Sequence, residues 1–128
     1  MSFHVGLFLP STRGLSVIAT TEPPQQMPTF KLNLAVTRMA EEAGLDYVLA
    51  ASKWRGYGGQ SRHWDFALES LTLMSALAAS TTRIKMYGSV GVRALHPAVV
   101  AKMAATIDDV SGGRFGVNIV AGWNAFEY

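Results

Sequence analysis

The chain has 128 residues, enough for one ordinary domain with a core of its own. About half of them are apolar (49%), which excludes a disordered segment. Eleven Lys and Arg against nine Asp and Glu leave a formal charge of +2, spread without a basic run that would mark a nucleic-acid or membrane surface, and the absence of cysteine removes disulfides, thiol nucleophiles and zinc–thiolate sites.

The apolar pattern alternates along the chain. "FHVGLFL" (3–9), closed by Pro10, reads as a first strand. A long polar, proline-containing loop follows, "STRGLSVIATTEPPQQMPT", of a length usually tied to function or disorder. Thr29 is placed to cap a helix over 30–43, and Gly44 to end it in the left-handed conformation. "DYVLAAS" (46–52) predicts the second strand, followed by the glycine-rich loop "KWRGYGGQSRHW". Asp65 is expected to cap a helix over 66–79, whose apolar residues wrap most of its circumference, so that it must be covered on more than one side. "RIKMYGSVGV" (83–92) is the third predicted strand. Pro97 opens a helix through 110, ended by Ser111-Gly112-Gly113, and "RFGVNIVAG" is the fourth strand.

Strand and helix alternate, so right-handed crossovers and a parallel sheet are expected. An open doubly wound sheet fits, and so does part of an eight-stranded β/α barrel; composition leaves both open. In either, ligands gather at the carboxyl ends of the strands. Pro10-Ser11, Ala51-Ser52-Lys53, Gly88 to Gly91 and Asn118 to Trp123 fall on that edge, and each departs from pure packing by small or polar residues. Such an edge suits a flat ligand that needs close approach and a few fixed polar groups. "GSVG" around Ser89 lacks the nucleophile-elbow pattern, and "RGYGG" lacks the dinucleotide spacing. His4, His63 and His96 have no metal-ligand spacing, so no metal is expected. Trp54 and Trp64 flank the glycine loop, either lining a pocket or anchoring the loop.

"LHPAVVAKMAATIDDVSGGRFGVNIVAGW" (95–123) resembles the signature region of the bacterial-luciferase-like flavin-dependent oxygenases. "PQQMPTFKLN", "RGYGG", "WDFALESLTLMSALAASTTRI" and the ending with Gly122, Trp123 and Glu127 are similar to the branch that oxygenates pyrimidines. The dimethylsulfone oxygenases share the style of that ending, so a dimethylsulfone- or alkanesulfonate-type FMN monooxygenase is the alternative reading. The resemblance implies the N-terminal half of a TIM (β/α)8 barrel over residues 1–128, with four parallel strands, three helices and the remaining units missing.

It further implies a two-component monooxygenase that takes reduced FMN from a separate NAD(P)H-dependent flavin reductase, uses O2, and opens a pyrimidine ring such as uracil. Ser52, Lys53, Asn118 and Glu127 match positions that contact the flavin. Asn118, Trp123 and Ser89 match positions around the oxygen pocket. Ser89 stands where the pyrimidine branch has threonine, so a methyl is lost there. At Ser52 the branch carries an apolar residue, and only a backbone contact carries over. "STRGLSVIATTE" departs from the branch, in a loop placed to select substrate. A soluble, cytoplasmic homo-oligomer with no membrane or nucleic-acid partner is expected. The other readings are a half-barrel acting only as an assembly module, inactive by itself, and a deazaflavin-dependent reductase.

Overall fold

A computed structural model describes residues 3–14, 27–122 and 124–128. Its elements run β1 (Gly6–Phe8), α1 (Phe30–Glu42), β2 (Tyr47–Ala50), α2 (Ser70–Ala78), β3 (Lys85–Gly91), α3 (Pro97–Ser111) and β4 (Phe115–Val120). All three strand pairs are parallel and the spatial order is β1-β2-β3-β4. Strands laid down consecutively by right-handed crossovers keep every helix on one face. A doubly wound sheet reverses direction and places helices on both. The strand order therefore decides between the two architectures: this is half of a β/α barrel.

Alternation along the strands separates the two faces. Leu9, Val48, Ala50, Met86 and Val90 point to the helices, where they join Leu71, Met74, Leu77, Ile84 and Ile107 in one core. α2 packs against α3, β3, β2 and α1, which satisfies its nearly continuous apolar surface. The opposite face, the barrel interior, carries Tyr47 and Tyr87 edge to face at 5.4 Å. These rings lie over glycines of the neighbouring strands. A Cβ on Gly6 would come within 2.1 Å of the Tyr47 ring, and one on Gly116 within 2.4 Å of the Tyr87 ring.

Most boundary signals act as expected. Thr29 accepts the Leu32 N–H at 3.2 Å, Pro97 opens α3, and Gly112 closes it with φ 66°. The strands are shorter than the apolar runs. At the start of β1, Val5 N–H donates to the Asp46 carboxylate at 2.7 Å and takes no part in the ladder. One expected cap is wrong: α2 begins at Ser70, and its cap is Glu69, whose carboxylate accepts from Leu71 and Thr72 N–H at 3.0 and 2.7 Å. Residues 66–68 are held extended by the segment after β1. Arg13 N–H donates to Phe66 carbonyl (2.8 Å), Leu68 N–H donates to Ser11 carbonyl (2.9 Å), and Thr12 bridges Ala67. Asp65 turns back into its own loop, accepting from Gly58 N–H at 2.8 Å and pairing with Arg62 at 3.3 Å.

Arg114 ties the amino-terminal floor of the sheet together. Its guanidinium donates to the carbonyls of Ala78, Thr81, Ile84 and Ser111 and to the Thr81 hydroxyl, at 2.7–3.1 Å. Removing it strands several carbonyls at the end of α2 and the start of β3. Arg114→Ala is expected to destabilise the chain by about 2–3 kcal/mol, with Arg114→Lys recovering only part, since an ammonium lacks the planar fork. Chemical denaturation of the two variants checks this. Among the described residues no helix is long and apolar enough to cross a membrane.

Candidate functional site

Two polar pairs stand at the carboxyl edge of the sheet. Ser89 on β3 and Asn118 on β4 are direct partners in register, on the barrel-interior face. Asn118 donates from Nδ2 to Ser89 Oγ at 2.9 Å, and the Ser89 carbonyl accepts from the buried Ser70 hydroxyl at the start of α2. This arrangement leaves the Asn118 amide oxygen and the Ser89 hydroxyl proton without a hydrogen bond among the described residues. One acceptor and one donor thus stand side by side on the interior face of the β3–β4 pair.

The second pair joins residues 74 apart in sequence. After β4 the chain doubles back over the end of β3, and Glu127 reaches the loop that follows β2. Its Oε2 meets Lys53 Nζ at 2.9 Å, with the two side chains only 3 and 8% exposed, and its Oε1 accepts the Trp54 N–H at 3.0 Å. The turn before it is closed by Glu127 N–H donating to Asn124 carbonyl at 3.2 Å and Phe126 N–H donating to Asn124 Oδ1 at 3.1 Å. Tyr128 then lies across Gly91, where an added Cβ would fall 2.0 Å from the phenol oxygen. Burial, with the Glu127 carboxylate adding to it, raises the Tyr128 phenol above its ordinary value; Tyr57 is raised by the same two causes.

The 51–69 loop supplies the side wall. The Lys53 ammonium sits 4.3 Å from the centre of the Trp64 ring, and the His63 ring stacks on Trp64 at 4.5 Å. A cleft of about 290 Å³ opens beside them, lined by Lys53, Trp54, Trp64, Asp65, Phe66 and Met27 among others. Trp54 and Trp64 therefore both line a pocket, while Trp64 also anchors the loop.

The sequence-predicted residues are placed as follows. Lys53 and Glu127 are brought into direct contact, as are Ser89 and Asn118. Ser52 lies just past the end of β2, partly buried. Trp123 and most of the loop expected to select substrate lie outside the described residues. Among the described residues no group of His, Cys, Asp or Glu could hold a metal ion. Tyr128, Ser70 and His63 were missed as parts of the site. The glycine at 91 was the available signal for Tyr128, since a small residue at a strand's carboxyl end invites something to lie on it.

Similar proteins extend the geometry. Residues 3–128 match the luciferase-like monooxygenase family. The chain is 50% identical over 128 residues to pyrimidine monooxygenase RutA of Escherichia coli (strain K12 / DH10B), covering all of this chain and 33% of that protein. It is 50% identical over 124 residues to pyrimidine monooxygenase RutA of Bradyrhizobium sp., covering 97% of this chain and 34% of the relative. This chain thus spans about a third of the length of these curated relatives. Among solved structures, the EDTA monooxygenase of Chelativorans sp. BNC1 superposes with a TM-score of 0.79 at 17% identity, over 94% of this chain and 29% of that one. A riboflavin lyase, solved with modified FMN and riboflavin, gives 0.71 at 25% identity, over 94 and 30%. With four consecutive parallel strands, helices on one face and a family match across nearly its whole length, the chain belongs to the luciferase-like monooxygenases.

Proposed function

We propose that this segment forms the first half of the flavin site of a two-component monooxygenase that opens the ring of a pyrimidine such as uracil. The observation that carries the reading is the 50% identity to pyrimidine monooxygenases across the whole segment. The site's chemistry fits a flavin. The unspent acceptor of Asn118 and donor of Ser89 suit the alternating carbonyl and N–H edge of an isoalloxazine. Reduced FMN, supplied by a separate NAD(P)H-dependent reductase, provides the electrons that activate O2 when bound. Drawing on NAD(P)H, such a pair works in the cytoplasm.

The chain's own share is positioning and exclusion of water. Asn118 and Ser89 hold the ring edge at the floor of the site. Lys53 and Glu127 lock the loop after β2 to the turn after β4, so that backbone groups at Ser52 and Lys53 keep a fixed height above the sheet. Glu127 retains lone pairs for a contact of its own, since each oxygen already accepts only one hydrogen bond. Trp123 is proposed to wall the oxygen pocket. The reacting carbonyl of the substrate would lie between this floor and the units supplied by the rest of a full barrel.

A chimera tests the reading: residues 1–128 replace the matching segment of the E. coli relative. With a flavin reductase, NADH and FMN, it is expected to consume oxygen in a uracil-dependent manner at a rate within about tenfold of the parent. Uptake with dimethylsulfone and none with uracil would transfer the segment to the sulfone branch. No substrate-dependent uptake at all would overturn the proposal.

A further inference from the structure

His63 lies in the loop between β2 and α2 and is only 3% exposed. Its Nδ1 has no hydrogen-bond partner among the described residues. A buried ring nitrogen left unpaired is unfavourable and calls for an explanation. The backbone on either side is also unfavourable: Arg62 has φ 47° and Trp64 φ 61°, a region in which residues other than glycine are strained. The imidazole is buried in a cluster of three rings, with Tyr57 at 6.1 Å and nearly parallel, Trp64 at 4.5 Å, and those two 5.8 Å from each other. Trp64 is also the ring over which Lys53 rests, and Lys53 is the partner of Glu127.

We propose that His63 is a positioning residue: its neutral ring fixes the Trp64 indole against the Lys53 ammonium, and its protonation loosens the Lys53–Glu127 clamp.

The electrostatics around the ring are asymmetric. Its own loop presents Lys53, Tyr57, Arg62 and Asp65. The segment after β1 presents Arg13, whose carbonyl accepts the Trp64 N–H at 3.0 Å, and the turn after β4 presents Glu127. The Asp65 carboxylate is engaged by Gly58 and Arg62, and the Glu127 carboxylate by Lys53 and Trp54. The nearby charge that acts on the imidazole is therefore Lys53, of the same sign as an imidazolium. Burial first, and Lys53 second, hold His63 below its ordinary value. Acidification first protonates this histidine in the unfolded chain, near pH 6.5, and only at lower pH in the folded one. The fold thus keeps full stability above that value and loses it as pH falls toward the lowered folded value. A cation placed there repels Lys53 and draws on the same electron-rich indole ring, which weakens the hold of Lys53 on Glu127.

His63→Phe keeps a flat ring on Trp64, removes the orphan nitrogen and cannot charge. Between about pH 7.5 and about pH 5.5 the wild type is expected to lose at least about 4 °C more in melting temperature than this variant. His4 and His96 are present in both proteins and cancel. Equal losses would overturn the proposal. NMR of the unmutated chain gives a second measure that needs no variant. The Lys53 ε-methylene signal should shift with the same midpoint as the His63 ring, and a Lys53 signal indifferent to that titration would overturn the proposal too. Under the flavin reading above, FMN affinity should weaken about threefold or more over the same range in the wild type, and less in His63→Phe. FMN that binds neither protein would count against the flavin reading, while the melting and NMR results still decide the role of His63.

Discussion

Replacing Glu127 with alanine is expected to lower the chain's stability by about 3–5 kcal/mol, because it leaves the Lys53 ammonium without its carboxylate in a place water barely reaches. The two side chains are 3 and 8% exposed and meet at 2.9 Å. The Trp54 N–H loses its acceptor in the same step. Lys53→Met should be costly for the mirror reason, leaving the carboxylate with only that N–H. The double variant Lys53→Met with Glu127→Leu should fall closer to the wild type than either single change, since an apolar pair of similar volume needs no desolvation. Urea denaturation of the four proteins measures this cycle. A single-variant loss under about 1 kcal/mol would place the pair in the class of exposed ion pairs and remove it as a clamp.

The second large effect concerns turnover. In the chimera, Asn118→Leu is expected to reduce kcat/KM by about 10²–10³, the usual consequence of removing one preorganised polar group from where charge develops. Leucine preserves the volume while deleting both the donor to Ser89 and the unspent acceptor. Oxygen uptake at saturating FMN reports the change. A loss below about twofold would assign Asn118 to packing.

Sequence and structure agree where the signal is local. Thr29, Pro97 and Gly112 act on their own helices, and the polar Asn118 among apolar neighbours identified itself as an unusual strand residue. The barrel was not legible from composition, because strand order is a property of the whole chain and emerges only when four strands pair in sequence. Asp65 was misjudged as a cap because residues 66–68 are committed to the segment after β1, a contact that no window around Asp65 contains. The Lys53–Glu127 pair was named residue by residue, yet their meeting depends on the chain doubling back after β4. His63 gave no signal, since a lone histidine in a loop reads as solvated until Trp64 and Tyr57 close over it.

Arg114 stands immediately before β4 and Asn118 within it, four residues or roughly 13 Å apart along the chain. The guanidinium fastens neighbouring elements underneath, so at this lower end upkeep of the architecture does not draw on Ser89 or Asn118. A change of polar side chain at that end of β3 and β4 would therefore leave the lower tie intact.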